Sequence, residues 1–484
     1  MNKSVIRYIL GCVLKVEAAF LLLPSLVGFI YKEKQGIAFV IVAALCFILG
    51  TIMSFKKPEN FLFYLKEGCV ATALSWIFLS IFGALPFVIN GDIPSFTNAL
   101  FETISGFTTT GASILSDVEA LSYSSLFWRS FTHWIGGMGV LVFLLAIIPL
   151  SGGSHINLMK AESPGPTVGK LVPKIRHTAR ILYIIYIVMT IIQIIFMLCG
   201  GESLFTSLTL SFGTAGTGGF SIKNDSIASY SAYTQWVITI FMILFGINFN
   251  AYYLLLFKKF KQIFRMDEVR WYLIIIAFST IVIVLNLNAH HMASSDSIRH
   301  ALFQVASIIT TSGYATLDFD LWPSASKLIL VGLIFIGACA GSTGGGIKVS
   351  RMLIAIKNAV REMYSYIHPR SIKQVKMDGK PLDNSVVRSV SVYLLTFFII
   401  FSISLFAISF DNKDFTTNFT AVATTLNNVG PGLSMVGPTQ NFGHFSVFAK
   451  YVFMFDMLAG RLELFPLLIL FHPSLLKDWF TKRK

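Results

Sequence analysis

The sequence predicts an all-α polytopic membrane protein in which two N-terminal helices precede four helix–pore loop–helix repeats around one shared pore. Three observations lead to this prediction: the chain is strongly apolar, long apolar blocks recur along it, and four Gly-rich segments lie between those blocks. Of its 484 residues, 55% are hydrophobic and 13% are charged, which is about half the charged fraction of a soluble domain. This composition excludes an ordinary cytosolic enzyme, a secreted disulfide scaffold and a disordered chain.

Ten apolar blocks are candidates for membrane spans, each of which needs about 20 apolar residues. They lie at 4–31, 36–55, 68–90, 122–150, 179–200, 232–257, 270–290, 325–358, 385–410 and 445–471. Lys3 and Arg7 precede the first block, as in a signal peptide. However, Lys15 and Glu17 interrupt this block and no small-residue cleavage site is evident, so we predict a retained helix.

Basic residues predict the orientation of the spans. The N-terminus and the segments 55–67, 151–180, 257–270, 347–388 and 472–484 together hold 28 of the 38 Lys and Arg residues. The positive-inside rule places these segments, and with them both termini, in the cytoplasm. An even number of spans agrees with this topology. The net charge of +14 is thereby explained by orientation, and no nucleic-acid partner is predicted.

Four weakly apolar segments, each ending in a Gly-rich turn, lie on the side opposite to the basic segments. They read SFTNALFETISGFTTTGA (95–112), SLFTSLTLSFGTAGTGG (203–219), SIRHALFQVASIITTSGYA (297–315) and FTTNFTAVATTLNNVGPG (415–432). They align without gaps on Gly111, Gly218, Gly313 and Gly430, at steps of 107, 95 and 117 residues. A solenoid has a period of about 20–50 residues, whereas these longer steps suit a repeat of span, half-helix, loop and span.

The part of each segment before its Gly is too short to cross a membrane. A helix of about 12 residues rises roughly 18 Å, a little over half of the hydrocarbon thickness. The chain must then return as extended backbone, which is tolerated at that depth only where it is buried in protein or lines a water-filled cavity. Four such loops entering from one side therefore predict a single shared pore.

The loop residues predict a site for a large monovalent cation. Gly permits positive φ, so that successive carbonyl groups can point toward one axis, and a ring of carbonyls can replace the hydration shell of such an ion. These loops contain no acidic residue, which favours K⁺ over a divalent cation. The predicted filter residues, with K⁺ as the only predicted metal ion, are Thr109, Thr110, Gly111, Gly216, Thr217, Gly218, Thr311, Ser312, Gly313, Asn428, Val429 and Gly430.

The sequence allows alternatives for the filter in two respects. In repeat 2, Gly216, Gly218 and Gly219 offer alternative registers. Glycines that merely form tight surface turns are the alternative interpretation, and it is disfavoured by four copies in register.

Several motifs in this sequence resemble those of the Trk/Ktr/HKT superfamily of potassium transporters over nearly the whole chain. They are TTTGA (108–112), HWIGGMGV (133–140), TGGF (217–220), TTSGYA (310–315), AGSTGGGIKVSR (340–351), NNVGPG (427–432) and AGRLELFPLL (459–468). Two helices precede the first repeat, which is similar to the Trk branch. The resemblance implies a pseudo-fourfold pore within one chain. It divides the chain into two N-terminal helices at 1–66 and pore repeats at 67–151, 179–258, 269–361 and 384–472.

The resemblance also implies partners and a location. Members of the superfamily form homodimers with one pore in each subunit, and Trk members bind a cytoplasmic ring of TrkA-type regulatory subunits. The implied location is the bacterial cytoplasmic membrane. This chain has no phosphate-binding Gly loop on a strand–helix unit, so we expect no cofactor in the chain itself and a nucleotide on the regulatory partner.

A Gly-rich run inside one apolar block is a candidate gate. Gly341, Ser342, Thr343, Gly344, Gly345 and Gly346 interrupt the block that begins at 325. Each Gly in a helix interior costs about 1 kcal/mol relative to Ala, so we predict a break near the middle of the membrane, next to a cavity. Close packing of small residues is the alternative. Lys348 is predicted either to anchor this loop or to face the pore.

Arg461 lies in the last apolar block, where inserting an Arg costs at least about 2.5 kcal/mol. We therefore predict that it faces the pore or pairs with Asp456 or Glu463. The family resemblance implies that Arg461 projects into the permeation path and that the Gly-rich run is the intramembrane gate. Two other polar residues have predicted structural roles: His133 packs at the membrane interface, and Glu102 holds neighbouring helices together.

The leading prediction is a potassium uptake protein driven by the membrane potential, which assists each entering cation by about 2.3 kcal/mol per 100 mV. The alternative is a symporter coupled to Na⁺ or H⁺. Such secondary transporters commonly contain inverted repeats, whereas the four loops here enter from one side. The sequence contains no catalytic constellation, so we predict no enzyme activity and no catalytic residue.

Overall fold

The computed structural model describes residues 1–58, 64–139, 175–290, 296–370, 373–473, 475 and 477. In this part of the chain the protein is a bundle of helices. The predicted stretch 140–150, most of the segment 151–180 and most of 472–484 lie outside the described residues. A small antiparallel ribbon pairs β1 (Lys376–Met377) with β2 (Lys380–Pro381), in the register Lys376 to Pro381.

The helices of the described chain follow one another in this order: α1 (Lys3–Ile30), α2 (Gly36–Ser54), α3 (Leu65–Ile89), α4 (Phe96–Phe107), α5 (Tyr123–Met138), α6 (Ile175–Cys199), α7 (Leu204–Gly216), α8 (Ala232–Phe245), α9 (Phe249–Leu256), α10 (Phe260–Ile263), α11 (Asp267–Ala289), α12 (Ser297–Ile309), α13 (Ser324–Ile336), α14 (Val349–Ile367), α15 (Asn384–Ile408), α16 (Phe415–Leu426), α17 (Val447–Arg461) and α18 (Phe465–Leu468). Short 3₁₀ turns occupy Phe319–Leu321, Ser409–Asp411, Ser434–Val436 and Ile469–Phe471.

Six helices among the described residues are long and apolar enough to cross a membrane. They are α1, α2, α3, α6 from Arg180, α11 and α15 extended to Asp411. The bent pair α8–α9 would make a seventh span, and α13 is a shorter apolar helix. This is the polytopic, all-α architecture that the composition predicts.

The four predicted half-helices are present as α4, α7, α12 and α16, which have 12, 13, 13 and 12 residues. Each lies between a preceding long helix and a following helix, as the predicted repeat requires. The repeat boundary at 151 lies outside the described residues, and the boundaries remain predictions.

Polar caps explain where several of these helices begin. At each of these N-termini, a Ser or Asp side chain accepts a hydrogen bond from a backbone N–H three residues later, which satisfies a donor that the helix leaves free. The capping residues are Ser122, Ser203, Ser231, Asp414 and Ser446. The caps fix the start of α7 and α16 and therefore the depth that each half-helix reaches.

Two of the predicted continuous spans are broken, and a third block is interrupted where the Gly run predicts a break. The block 232–257 bends by 88° between α8 and α9. The block from 325 onward is interrupted over residues 337–348, a longer stretch than the Gly run alone. The block 445–471 ends as a helix at Arg461. A continued helix there would place the ring of Pro466 against the carbonyl of Leu462, which hydropathy alone does not reveal.

The N-terminal hairpin of α1 and α2 is held together by close contact at small residues. A Cβ on Gly11 would lie 2.8 Å from the carbonyl oxygen of Gly50, and a Cβ on Gly50 would lie 2.7 Å from that of Gly11. Such contacts let two helix backbones approach closely inside a membrane. The antiparallel hairpin then packs its buried face against the rest of the core.

We expect Gly11→Val to destabilise this hairpin by roughly 1–3 kcal/mol, because the added methyl groups overpack the contact. Thermal unfolding of the purified full chain in detergent, followed by intrinsic fluorescence, measures the effect. Gly332→Val is the control, since no atom lies within 4 Å of a Cβ placed there. Equal melting temperatures for the two variants would contradict this account of the hairpin.

Candidate functional site

The loops that follow the four half-helices share one backbone conformation. In each loop a residue adopts the left-handed conformation just after the half-helix: Thr109 (φ 56°), Thr217 (56°), Thr311 (60°) and Asn428 (56°). Two residues later comes a Gly with positive φ: Gly111 (78°), Gly219 (77°), Gly313 (77°) and Gly430 (98°). Positive φ is unusual for non-Gly residues and especially for β-branched Thr. Backbone strain of this kind concentrates at functional sites.

The same two hydrogen bonds close every loop. The first runs from a backbone N–H to the carbonyl five residues earlier: Thr110 to Ser105 (2.9 Å), Gly218 to Gly213 (2.8 Å), Ser312 to Ser307 (2.8 Å) and Val429 to Thr424 (2.9 Å). The second spans three residues: Thr109 to Gly106, Thr217 to Thr214, Thr311 to Ile308 and Asn428 to Thr425. This pattern is the Schellman motif, which satisfies carbonyls that a helix C-terminus leaves free.

The four loops form a closed ring. A Cβ on Gly111 would overlap the carbonyl oxygen of Gly218, one on Gly219 that of Ser312, one on Gly313 that of Val429, and one on Gly430 that of Thr110. Each loop therefore contacts the next, and the fourth contacts the first. We call Gly111, Gly219, Gly313 and Gly430 the ring glycines; a side chain at any of them would push two loops apart.

The ring places Gly219, rather than Gly218, in the position of the other three glycines. The predicted alignment is therefore wrong by one residue in repeat 2. The left-handed residue fixes the register, and the three glycines in AGTGG conceal it from a gapless alignment. Thr217 consequently stands two residues before its ring glycine, as Thr109 and Thr311 do. Gly216 ends α7 and corresponds to the capping residues of the other half-helices, so it falls outside the ring.

One cavity is lined by all four ring glycines. It lies on the side of the ring toward which the chain continues after each of these glycines. Its volume is about 130 Å³ and its lining includes all four: Gly111, Gly219, Gly313 and Gly430. Its other walls include Ser113 and Ser221, each two residues after a ring glycine, and Asn441 farther along the chain. This vestibule is the entrance to the ring from the side where the half-helices begin.

Hydroxyl and amide groups support the ring from behind. The hydroxyl groups of Thr108 and Thr110 lie 2.8 Å apart, and those of Thr310 and Ser312 lie 2.9 Å apart. Asn428 donates to the hydroxyl of Thr110 (2.9 Å), which joins repeat 4 to repeat 1. These side chains are buried. The contacts fix the position of the loop backbone.

His133 lies directly behind the ring, so the prediction that places it at the membrane interface is wrong. Its side chain is fully buried. Nδ1 bonds the carbonyl of Gly106 (2.8 Å), and the backbone N–H of Phe220 donates to Nε2 (3.3 Å). The imidazole thus connects the loops of repeats 1 and 2. Its position within an apolar block gave no sign of which neighbour it would face.

Glu102 forms a buried ion pair that also joins repeats 1 and 2. Its Oε1 accepts from Nε (2.8 Å) and Nη2 (2.7 Å) of Arg129 on α5. Arg129 in turn donates to the carbonyl of Ser221, just beyond the second loop (3.2 Å). The carboxylate also accepts from the backbone N–H of Ile114, just after the first loop (3.1 Å). This pair holds α4 and α5 together, which is the role that the sequence predicts for Glu102.

The loop between α13 and α14, residues 337–348, contacts the ring from the side opposite to the vestibule. The backbone N–H of Gly345 donates to the hydroxyl of Thr311 (2.7 Å), and that of Gly346 donates to the carbonyl of Asn427 (2.9 Å). These partners precede the ring glycines, whereas the vestibule is lined by residues that follow them. The α13–α14 loop therefore lies directly beneath the ring.

Arg461 bonds this loop to α5. Its Nη1 donates to the carbonyl of Thr343 (2.8 Å), and its Nη2 donates to the carbonyls of Gly136 and Gly137. Free carbonyls at a helix C-terminus attract a cation, and Gly136 and Gly137 lie in the last turn of α5.

The two acids predicted as partners of Arg461 bind other residues. Glu463 pairs with Arg351, and Asp456 accepts from the hydroxyl of Ser404 (2.6 Å). Lys348 donates to the carbonyl of Gly344, so it anchors the α13–α14 loop, which is one of its two predicted roles.

Glu268 binds the α13–α14 loop and the first turn of α14, and sequence reasoning missed it. Its Oε1 accepts from the backbone N–H groups of Ala340 (2.6 Å) and Ser350 (3.2 Å). Its Oε2 accepts from Asn248, at the bend between α8 and α9 (3.2 Å). The side chain is 6% exposed. In the sequence it resembles an ordinary acidic residue in the first turn of α11. The signal that could have found it is its position at the start of an apolar span, where a carboxylate needs a partner.

Comparisons with known proteins identify the family of this chain. Residues 35–480 match the family described as TrkH, a cation transport protein. The Trk system potassium uptake protein TrkH of Vibrio parahaemolyticus serotype O3:K6 is 35% identical, and the match covers 98% of this chain and 99% of that protein. The protein of the same name from Escherichia coli K12 is 34% identical over 99% and 100% of the two chains.

The fold agrees as well. The crystal structure of the potassium transporter TrkH from Vibrio parahaemolyticus matches with a TM-score of 0.88 at 32% identity, over 98% of this chain and 99% of that one. This match confirms the predicted polytopic, all-α membrane fold. The family consists of transport proteins, which confirms that the chain is not an enzyme. The chain belongs to the TrkH family of cation transport proteins.

Proposed function

We propose that this chain carries K⁺ into the bacterial cell across the cytoplasmic membrane, through the ring formed by its four loops. The closed ring, in which each ring glycine contacts the carbonyl of the next loop, is the observation that carries the proposal. The names of the relatives, Trk system potassium uptake proteins, support the same substrate.

The chemistry of the ring suits K⁺. The carbonyl groups nearest to the ring glycines belong to Thr110, Gly218, Ser312 and Val429. Such carbonyls replace the water molecules around a large monovalent ion. The C-terminal ends of the half-helices meet at the ring and add partial negative charge without a carboxylate. A site of dipoles rather than full charges binds a monovalent cation weakly enough to release it.

The α13–α14 loop acts as the gate in this proposal. Its contacts with Thr311 and Asn427 cover the inner side of the ring. Arg461 holds Thr343 there and adds a positive charge beneath the ring, which raises the barrier for a cation. Conduction requires the loop to move aside, and the Gly run allows that movement at little steric cost.

The partners complete the proposal. The chain forms a homodimer with one pore in each subunit, and both termini lie in the cytoplasm. A cytoplasmic ring of TrkA-type subunits binds a nucleotide and displaces the α13–α14 loop. The words "Trk system" in the relatives' names support a multicomponent assembly. The basic segment 347–388, which continues directly from the loop, is the surface on this chain to which that ring docks.

The proposed function is tested by uptake of radioactive Rb⁺ into liposomes that contain the purified full chain, loaded with K⁺ and challenged with external Na⁺. The assay is run alone and with the regulatory subunit and nucleotide. We expect uptake that resists Na⁺ and increases with the subunit. Uptake that requires a Na⁺ or H⁺ gradient and saturates at low turnover would replace the pore with the symporter alternative.

The register of the ring gives a sharper test. We expect Gly219→Ser to lose resistance to Na⁺ competition as fully as Gly313→Ser, because both side chains separate neighbouring loops and disturb the carbonyls. The Rb⁺ uptake assay measures this loss. Gly332→Ser is the matched control, since its site has no atom within 4 Å of the new Cβ. A Gly219→Ser variant with the selectivity of the control would refute the corrected register.

The gate makes a second prediction. Removing a hydrogen bond to a charged group costs about 1.5–3 kcal/mol, so Arg461→Gln and Glu268→Gln should each raise Rb⁺ uptake without the regulatory subunit by about tenfold or more. Lys34→Gln, at an exposed residue between α1 and α2, is the control for loss of charge. If both gate variants show wild-type basal uptake while still responding to the subunit, the α13–α14 loop is not held closed by these contacts.

A further inference from the structure

The bend between α8 and α9 opens an apolar groove on the membrane-facing side of the protein. The groove lies between α6 and the bent pair and has a volume of about 750 Å³, within the usual range of ligand sites, about 300–1,000 Å³. Aliphatic and aromatic side chains form its walls, among them Val188, Ile192 and Phe196 on α6, Val237 and Ile240 on α8 and Leu255 on α9.

The tyrosines in the wall do not offer their hydroxyl groups to a ligand. Tyr233 donates to the carbonyl of Phe196 (3.1 Å), and Tyr252 donates to that of Leu244 (2.6 Å). A polar metabolite would therefore lose hydrogen bonds with water and gain few in return. The groove suits a flexible apolar chain.

A basic and aromatic segment follows directly at the end of the groove. Phe257, Phe260 and Phe264 are 53%, 52% and 79% exposed. The neighbouring cations Lys258, Lys259, Lys261 and Arg265 are exposed as well. Exposed aromatic and basic side chains in alternation are typical of a segment at a membrane–water interface, and on the topology proposed above this is the cytoplasmic interface.

The charge of this segment is not neutralised by the acid that follows it in the chain. Asp267 already pairs with Arg270 (2.6 Å) and Lys357 (2.8 Å), and Glu268 binds the α13–α14 loop. Adjacent lysines at the inner leaflet attract anionic lipid headgroups. An apolar groove that ends at such lysines matches both parts of one ligand, an acyl chain and an acidic headgroup.

The wall of the groove is bonded to the α13–α14 loop at three points around the bend. The N–H of Phe249 donates to the carbonyl of Gly341 (2.9 Å), and the N–H of Cys339 donates to that of Gly246 (3.1 Å). The hydroxyl of Thr343 donates to the carbonyl of Phe245 (3.3 Å). Any ligand that fixes α8 relative to α9 thus also fixes the loop beneath the ring.

We propose that this groove binds an acyl chain of an anionic phospholipid from the inner leaflet, with its headgroup on Lys258 and Lys259, and that the bound lipid stabilises the closed position of the α13–α14 loop. The groove is present in the conformation in which the α13–α14 loop lies under the ring. Because a ligand shifts a protein toward the conformation that it binds, a lipid in the groove favours this closed position. The regulatory part rests on the proposed function, whereas the lipid site does not.

Lipid retention tests the site directly. The purified full chain is exchanged into mixed micelles of phosphatidylglycerol and phosphatidylcholine, and the retained lipids are counted by native mass spectrometry. We expect wild type to retain phosphatidylglycerol in preference, and Lys258→Gln/Lys259→Gln to lose this preference by about tenfold. Lys56→Gln/Lys57→Gln, an adjacent pair that follows α2 on the same proposed side, should retain it.

A second pair of variants tests the groove without changing charge. Val188→Trp fills the groove and should reduce the retained phospholipid severalfold. Ile274→Trp places the same side chain on α11 at a site that is equally exposed, since both native residues are 46% exposed, and it should have no effect. Equal phosphatidylglycerol retention by all four variants and the wild type would overturn the lipid site.

Rb⁺ uptake into liposomes of phosphatidylcholine, with and without phosphatidylglycerol, tests the link to the gate. Without the regulatory subunit, phosphatidylglycerol should lower basal uptake severalfold in wild type and in K56Q/K57Q, but not in K258Q/K259Q. If phosphatidylglycerol changes Rb⁺ uptake in none of these proteins, the link between bound lipid and the gate is overturned. The retention data still test the lipid site separately. If no variant takes up Rb⁺ even with the regulatory subunit, the proposed function fails, and lipid retention is unaffected by that failure.

Discussion

The contact between each ring glycine and a carbonyl of the next loop is the constraint on which the rest of this structure depends. The ring closes only if all four loops reach the same depth in the membrane and adopt the same conformation. The half-helices set the depth, and their Schellman turns set the conformation, with a left-handed residue before each ring glycine. Buried groups such as His133 and the Glu102–Arg129 pair then resist the tendency of polar loops to separate in an apolar surrounding. A chain of four unequal repeats thus provides one set of equivalent carbonyls.

On the inner side of the ring, two charged side chains bind backbone atoms. Arg461 binds the end of α5 and the α13–α14 loop, while Glu268 binds backbone N–H groups of that loop and of the first turn of α14. Charges held by dipoles in this way can be released without leaving an opposite charge buried alone. The same loop contacts the bend of α8–α9, so the membrane-facing surface and the ring meet in one hydrogen-bonded unit. This arrangement is suited to a gate that responds to more than one signal.

Sequence reasoning was accurate where a physical requirement determines the length or the residue types of a segment. The half-helices were predictable because a segment of about 12 apolar residues is too short to span, and the Gly run predicted the break beneath the ring. The register of repeat 2 was not predictable, since three glycines within AGTGG satisfy the same pattern and only the left-handed Thr217 distinguishes them. The partners of Arg461 and Glu268 are backbone atoms distant in sequence, and such atoms carry no residue signature. Pro466 did signal the end of α17, but continuous hydropathy across it concealed that signal.

The most direct test of the ring is to locate a permeant ion in it. Crystals of the full chain grown in Rb⁺ allow the ion to be identified by its anomalous scattering. The account predicts a peak on the pseudo-fourfold axis, among the carbonyl oxygens of Thr110, Gly218, Ser312 and Val429, that weakens when K⁺ replaces Rb⁺ and persists when Na⁺ is added. A ring without a peak, in crystals where Rb⁺ is bound elsewhere in the membrane region, would contradict it.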